Sequence, residues 1–113
     1  MQSNELSKLV QSAIVDLKGL EIIEIDVRGK TSIADLMIIA TGTSVRHVRS
    51  LADNVRLKCK DAGFAPLGVE GDSQSDWVLV DLGDIIVHVM TDEKREFYAL
   101  EKLWSVESEA TAI

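Results

Sequence analysis

Two short apolar runs near the middle of the chain constrain its fold more than any other feature. They cover residues 77–82 and 85–90, are rich in β-branched side chains, and are separated by little more than Gly83. This pattern predicts a β-hairpin, because β-branched residues favour extended backbone and a glycine permits the tight reversal. A hairpin this apolar needs strands beside it, so we expect it in the middle of a sheet.

Helices are predicted where apolar residues recur three and four positions apart. This spacing holds over residues 6–17, 45–62 and 97–104, which indicates three amphipathic helices that each bury one face. The predicted ends are Ser3 or Asn4 and Gly19 for the first helix, Thr43 or Ser44 and Gly63 for the second, and Thr91 or Asp92 as the start of the third. Such helices can cover a sheet on its apolar side.

Three further strands complete the predicted sheet. Residues 21–27 alternate apolar and acidic side chains, as in a strand with one wetter face. Residues 35–41 are mainly apolar without alternation, as in a strand buried on both faces. A short strand at 67–71 precedes the hairpin. The order α-β-β-α-β-β-β-α predicts one domain over residues 1–105 of the α+β class, with an α/β-like mixed sheet, and a flexible acidic tail at 106–113.

The charge of the chain is divided unevenly. The net charge is −7, with a balance of +1 over residues 1–66 and of −8 over residues 67–113. The second part therefore attracts a basic surface and repels phosphate, which argues against non-specific nucleic-acid binding as the main function. Most of the acidic residues of this part lie on predicted helices and strands, so we expect an acidic folded surface.

Cysteine usage and the N-terminus favour a cytoplasmic protein. Cys59 is the single cysteine, so it cannot form an internal disulfide, and no Cys/His set has the spacing of a zinc site. Cys59 also falls on the apolar stripe of the second helix, which favours a core residue over a reactive thiol. The first ten residues lack the basic start and apolar run of a signal peptide. No apolar stretch approaches the roughly 20 residues that cross a bilayer.

A nucleotidyltransferase is the first enzyme class to consider. A strand that runs into Gly-Thr-Ser at residues 42–44 and then a helix could hold an anion with its backbone amides. Two-metal chemistry also needs carboxylates that project together from one strand face. Asp81 and Asp84 are three positions apart across the turn, and Asp53 lies in a helix, so the carboxylates do not converge. The pattern disfavours this catalysis and predicts no metal or cofactor.

Histidines and basic residues give weaker candidates. His88 alternates with Ile86 and Met90 along a strand, which favours packing on the sheet or at an interface over a ligand or base. No G-x-S-x-G motif accompanies His47, so acyl transfer has no support. A basic face of the second helix, which we interpret first as a solvated surface and second as a nucleic-acid patch, consists of Arg46, Arg49, Arg56, Lys58 and Lys60.

Trp77 is the strongest candidate for a binding residue. It opens a predicted strand next to Asp76 and shares a strand face with Leu79 and Asp81, so this face is partly apolar and partly charged. A large aromatic side chain among polar groups is typical of an interface hot spot. The alternative, a tryptophan buried in the core, remains open on the sequence alone.

Several segments of the chain together resemble the ribosomal silencing factor, or Iojap, family. The resemblance covers about residues 5–105. The matching segments are D-V-R-G-K-T-S-I-A-D at 26–35, T-G-T-S-V-R-H-V at 41–48, P-L-G-V-E-G at 66–71, W-V-L-V-D-L-G-D-I-I-V-H-V-M at 77–90 and R-E-F-Y-A-L-E-K-L-W at 95–104. The resemblance implies a nucleotidyltransferase-like fold without catalytic carboxylates, and hence a protein that is not an enzyme.

The resemblance also implies a partner. Members of this family bind the fourteenth protein of the large ribosomal subunit, block association with the small subunit and repress translation under nutrient limitation; organellar relatives assist large-subunit assembly, and homodimers occur. We therefore expect Trp77, with Tyr98 beside it, to form an apolar contact with this basic protein. Asp76, Asp81 and Glu101 are then expected to meet its lysines or arginines. The alternatives are a nucleotide-binding enzyme and an RNA-binding assembly factor.

Overall fold

A computed structural model describes residues 3–30, 32, 34–71 and 74–98, and of Phe97 and Tyr98 the backbone alone. The described residues form three helices, α1 (Ser3–Asp16), α2 (Val45–Asp61) and α3 (Asp92–Tyr98). They also form five strands, β1 (Leu20–Asp26), β2 (Leu36–Gly42), β3 (Gly68–Glu70), β4 (Trp77–Asp81) and β5 (Ile85–Thr91). The element order predicted from the sequence is confirmed.

The strands form one mixed sheet in the order β1-β2-β5-β4-β3. The β4 and β5 strands are the predicted hairpin, and Leu79 lies opposite His88 in it. The β2 strand is parallel to β5, whereas the other neighbouring pairs are antiparallel. Because β5 occupies the centre of the sheet, every residue from Ile85 to Met90 is buried. The mixed α+β class is therefore confirmed.

Helices α1 and α2 cover one face of the sheet and form the main core with it. Leu6 and Ile14 of α1 and Leu51 and Val55 of α2 are almost completely buried against strand residues such as Val87. These side chains recur at helical spacing because each helix turns one apolar stripe toward the sheet. The two helices are joined directly, since Nδ2 of Asn54 donates to the carbonyl of Ala13 at 2.8 Å.

The two long helices end in the same way but use different residues. At the end of α2, Gly63 has a φ of +85° and its amide donates to the carbonyl of Lys60, so it is the predicted left-handed stop. At the end of α1 this conformation belongs to Lys18, with a φ of +62°, and not to Gly19. Gly19 is required for another reason, because a Cβ there would lie 2.2 Å from Cγ2 of Ile14.

The opposite face of the sheet is covered in part by α3, which contacts β5 and β2. Arg95 of α3 is buried and donates from Nη1 to Oγ1 of Thr41 at 2.8 Å and to the carbonyl of Glu21. These bonds hold the start of α3 against the carboxyl end of β2. In the described part of the chain, no helix is both long and apolar enough to span a bilayer.

Candidate functional site

The face of the sheet opposite α1 and α2 carries the candidate site. Side chains alternate along a strand, so Val78 and Val80 enter the main core while Trp77, Leu79 and Asp81 point to the other side. The strand register then places residues of β5, β2 and β1 beside them. We call this surface the hairpin face; it consists of Trp77, Leu79, Asp81, Ile86, His88, Met37 and Ile25.

A pair of aromatic rings fixes the position of Trp77 on the hairpin face. Nε1 of Trp77 donates to Nδ1 of His88 at 2.9 Å, and the ring centroids lie 5.6 Å apart. His88 is buried, and this burial lowers its pKa from 6.5 to about 4, so the imidazole is neutral and Nδ1 is free to accept. The histidine therefore packs on the sheet, as the sequence predicts, and positions the tryptophan.

Trp77 is half-buried. It is therefore neither a fully buried core residue nor a fully exposed contact residue, the two interpretations that its sequence position allowed. The indole nitrogen is bound within the fold, and the residue as a whole keeps part of its surface in solvent. A ring held in one orientation before a partner arrives loses little conformational entropy on binding. This geometry suits a preformed contact.

Apolar side chains extend the hairpin face across the sheet. Leu79, Met37 and Ile25 are half-buried and pack against a small cluster formed by Val27, Ala34 and Ile86. These residues come from β4, β2 and β1, which are distant in sequence and meet only through the strand order. The sequence therefore identified Leu79 beside Trp77 but not Met37 or Ile25. The apolar character of β2 and the alternation in β1 indicate that Met37 and Ile25 are buried at least in part. These patterns do not indicate which strands are neighbours in the sheet.

Carboxylates lie along the margin of the hairpin face. Asp76 is half-buried and lies 3.9 Å from Nζ of Lys94, and Oδ1 of Asp81 accepts from the amide of Gly83 at 2.9 Å. Glu70, which the sequence did not single out, is exposed on β3 opposite Leu79. Asp76 and Asp81 thus each have a partner within the fold. Their carboxylates can accept further hydrogen bonds at the edge of an apolar surface.

Two of the five predicted binding residues fall outside the described side chains. Tyr98 is the last residue of α3, and its side chain is not described. Glu101 lies beyond the described residues, as do the predicted helical positions after Tyr98 and the tail at 106–113. Their contribution to the hairpin face remains a prediction. Asp76 and Trp77 lie together at the start of β4, beside the end of β5, whereas Asp81 lies at the other end of β4 next to the turn.

The loop at residues 42–44 has structural roles. Oγ of Ser44 accepts from the amide of His47 at 3.0 Å, which confirms Ser44 as the N-cap of α2. The amide of Thr43 donates to Nδ1 of His47 at 2.9 Å, and Nε2 of the same ring bonds the carbonyl of Leu17 at 2.7 Å. His47 therefore connects the start of α2 to the end of α1 and occupies an amide that an anion would need.

The remaining chemical candidates also have structural partners. Asp53 pairs with Arg49 at 3.4 Å and with Arg56 at 3.7 Å along α2, so the helical carboxylate serves its own helix face. Cys59 is fully buried, and burial raises its pKa to about 11, which confirms a core residue. Within the described ranges, no three His, Cys, Asp or Glu side chains are grouped closely enough to hold a metal ion.

Comparison with known proteins identifies the family. A family model described as "Ribosomal silencing factor during starvation" matches residues 1–113. The chain belongs to the ribosomal silencing factor family. Among its relatives, a ribosomal silencing factor of Haemophilus influenzae is 51% identical over 100 residues, which is 88% of this chain and 98% of that protein. The resemblance seen in the sequence is thereby confirmed.

Solved structures and more distant relatives agree with this assignment. A crystal structure of a Chromobacterium violaceum protein superimposes with a TM-score of 0.90 at 47% identity and covers 93% of this chain and 88% of that one. A mouse protein named "Mitochondrial assembly of ribosomal large subunit protein 1" is 37% identical over 79 residues, which is 66% of this chain and 34% of that protein. Sequence similarity to this chain thus extends from bacterial silencing factors to part of a protein whose name places it in mitochondria.

Proposed function

We propose that this chain binds the fourteenth protein of the large ribosomal subunit, blocks the small subunit from joining and represses translation when nutrients are limiting. Membership of the ribosomal silencing factor family supports a ribosome-associated role in silencing or assembly. The hairpin face is the surface we propose for this contact. It is supported by one observation: the ordered indole of Trp77 lies there beside half-buried apolar side chains, with carboxylates at the margin. The proposed function requires binding alone, without catalysis or a cofactor.

The chemistry of the hairpin face supports a basic protein as the partner. Apolar side chains at the centre of an interface supply most of the affinity, and aromatic anchors are enriched among the residues that contribute most. Carboxylates at the margin accelerate encounter with a positively charged surface and fix its orientation. Asp76, Asp81 and Glu70 are placed at that margin. Ribosomal proteins are basic because they lie against ribosomal RNA, so they fit this charge.

The proposed inhibition is steric. The small subunit and the silencing factor would compete for one surface of the large subunit, and a protein bound there needs no moving part to exclude the other. Inhibition then follows from occupancy, so its strength is set by the affinity of the hairpin face and the concentration of the chain. Asp76 exchanges its bond with Lys94 for one with the partner at little net cost, because exposed ion pairs contribute about 1 kcal/mol or less.

A role in large-subunit assembly is a second candidate. The printed name of the mouse relative favours it, because that name describes assembly of the large subunit in mitochondria. Such a role uses the same contact at an earlier time, since a factor on the large subunit during assembly also prevents premature joining. The two candidates differ in whether large subunits made without the chain are incomplete.

Co-sedimentation with separated ribosomal subunits tests the proposed function. We expect the folded chain to sediment with large subunits and not with small subunits, and to reduce formation of joined ribosomes when it is added first. Trp77→Ala should lose both effects, whereas Leu57→Ala, on α2 and 51% exposed, should retain them. Sedimentation of the wild-type chain apart from large subunits would refute the proposal. Calorimetric heat with a nucleoside triphosphate and Mg²⁺ would instead support the nucleotide-binding alternative.

A further inference from the structure

The β1 strand is an edge of the sheet whose outer hydrogen-bonding groups can be assigned. In the described residues it pairs with β2 alone. The amide of Val27 donates to the carbonyl of Asp35 at 2.9 Å in the register that pairs Ile25 with Met37. Backbone groups alternate in direction along a strand, so the odd-numbered residues bond β2. The amides and carbonyls of Glu24 and Asp26 therefore point away from the sheet.

This outer edge combines exposed apolar and acidic side chains. Leu20 is 47% exposed and Ile23 is 37% exposed, and the register with β2 shifts between them. Glu21, Glu24 and Asp26 are also exposed, and the carboxylate of Glu24 is positioned by a hydrogen bond from Ser7 of α1. We call this surface the β1 edge; it consists of Leu20, Glu21, Ile23, Glu24 and Asp26.

We propose that the β1 edge binds an extended, lysine- or arginine-bearing segment of a partner protein as an additional strand. The outward amides and carbonyls of Glu24 and Asp26 would pair with the backbone of that segment, as in other cases of strand addition. The carboxylates of Glu24 and Asp26 would face basic side chains of the segment. Ile23, on the face shared with Ile25, would contact an apolar side chain next to them.

Charge selects this occupant over a second copy of the chain. Two β1 strands paired edge to edge would bring Glu24 and Asp26 of one copy close to the same acidic residues of the other. Like charges that face each other across a strand pair are destabilising, and charged residues on an edge strand oppose self-association. A basic segment removes this repulsion, so the same residues that discourage a homodimer at this edge favour a heterologous strand.

The β1 edge adjoins the hairpin face at Ile25 but lies on the far side of the sheet from Trp77, the main contact residue of the proposed function. Two strands, β2 and β5, lie between β1 and β4. At about 4.8 Å per strand, β1 is roughly 14 Å from β4 and its Trp77 across the sheet. A partner bound around Trp77 need not reach the outward backbone groups of Glu24 and Asp26, so each contact can be tested without the other. The inference therefore stands or falls independently of ribosome binding.

Amide hydrogen exchange with defined peptides tests the proposal on the full chain. The probe is a nine-residue peptide that alternates lysine and valine, and its control alternates glutamate and valine. We expect the lysine peptide to slow exchange of the Glu24 and Asp26 amides by about tenfold at saturating concentration, since each amide gains a hydrogen bond. The glutamate peptide should leave both rates unchanged. Protection confined to residues of β4 and β5 would overturn the assignment.

A pair of variants at Glu24 isolates the backbone contribution. Glu24→Pro and Glu24→Gln both remove the carboxylate, but only the proline also removes the outward amide, and proline is tolerated on an edge strand when its nitrogen faces solvent. We expect the lysine peptide to bind the proline variant about tenfold more weakly than the glutamine variant. Equal affinities would contradict strand addition. So would protection of Glu24 and Asp26 that grows with protein concentration without peptide, because a second copy would then be the occupant.

Discussion

The two faces of the sheet are formed by the same strands and differ in what they leave accessible. On the face under α1 and α2, side chains such as Ile38, Val80 and Val87 have no exposed surface. On the hairpin face, Leu79 and Met37 keep part of their surface in solvent, although they alternate with those core residues along the same strands. One face thus serves stability, and the other holds apolar surface that a partner can still bury.

Accessibility rather than composition therefore distinguishes the proposed docking surface from the face that packs against α1 and α2. Both faces are apolar at their centres, so neither would stand out in a hydrophobicity profile. The hairpin face is distinguished by the fixed orientation of Trp77 on His88 and by carboxylates at its margin. Half-buried apolar residues cost the folded chain little stability when changed, whereas they can contribute strongly to an interface.

The largest expected effect is on stability, when a leucine is truncated to alanine on each face of the sheet. Leu51→Ala removes a fully buried leucine from the main core, so we expect the free energy of unfolding to fall by about 3 kcal/mol. Leu79→Ala removes a half-buried leucine and should cost about 1 kcal/mol. Urea denaturation monitored by circular dichroism measures both. Equal losses would show that the hairpin face is as much a part of the core as the other face.

Binding to large subunits should depend on the hairpin face and not on the exposed side of α2. Trp77→Ala should weaken binding to purified large subunits by at least about 2 kcal/mol, or roughly 30-fold, because an ordered aromatic anchor is lost. Leu57→Ala also removes an exposed apolar side chain, but on α2 and away from the hairpin face, so it should leave the dissociation constant unaltered. Filter binding with labelled chain measures both. Retained affinity of a folded Trp77→Ala protein would remove this residue from the interface.

The pH dependence of stability tests the burial of His88 beneath the hairpin face. Its pKa is about 6.5 in an exposed setting and about 4 in the fold, so the unfolded chain binds the extra proton first as the pH falls. Stability is therefore greatest above pH 6.5 and decreases toward pH 4, by at most about 1.4 kcal/mol per pH unit from this group. Urea denaturation at several pH values should show a shallower slope for His88→Gln. Identical slopes would contradict a buried neutral histidine.

The smallest expected effect concerns the charged margin. Asp76→Asn retains the shape of the side chain and removes its charge, so we expect the free energy of unfolding to change by no more than about 0.5 kcal/mol. The association rate with large subunits should fall by a few fold at low salt and converge with that of the wild type at high salt. Stopped-flow measurements at two salt concentrations check this. A change in dissociation rate alone would argue against a steering role.

Much of the fold follows from local signals in the sequence. The ends of α2 were predicted at Thr43 or Ser44 and at Gly63, and the structure shows Ser44 and Gly63, because capping needs particular side chains and backbone angles at fixed positions. The end of the first helix was harder to predict, since a glycine three residues past Asp16 has the sequence position of a left-handed stop. The structure gives that conformation to Lys18 and keeps Gly19 small for its contact with Ile14. Contacts of this kind depend on packing that local sequence does not record.

The candidate site could be predicted only where it lies within one hairpin. Trp77 and Asp81 belong to the same strand, so their shared face follows from alternation alone. Met37 and Ile25 reach the hairpin face because β2 lies parallel to β5 and β1 adds to β2. Strand order is set by long-range packing, which periodicity does not reveal. The role of His88 as a hydrogen-bond acceptor for Trp77 likewise needed the register of the hairpin.

Site-specific photo-crosslinking tests most directly the claim that the hairpin face docks on the large subunit. A photoreactive phenylalanine analogue would replace Leu79 on this face or, as a matched control, Leu57 on α2, and each protein would be irradiated with purified large subunits. The account predicts that position 79 crosslinks to the fourteenth protein of the large subunit and that position 57 does not. Crosslinking from position 57 to this protein, or from position 79 to a different component, would contradict it.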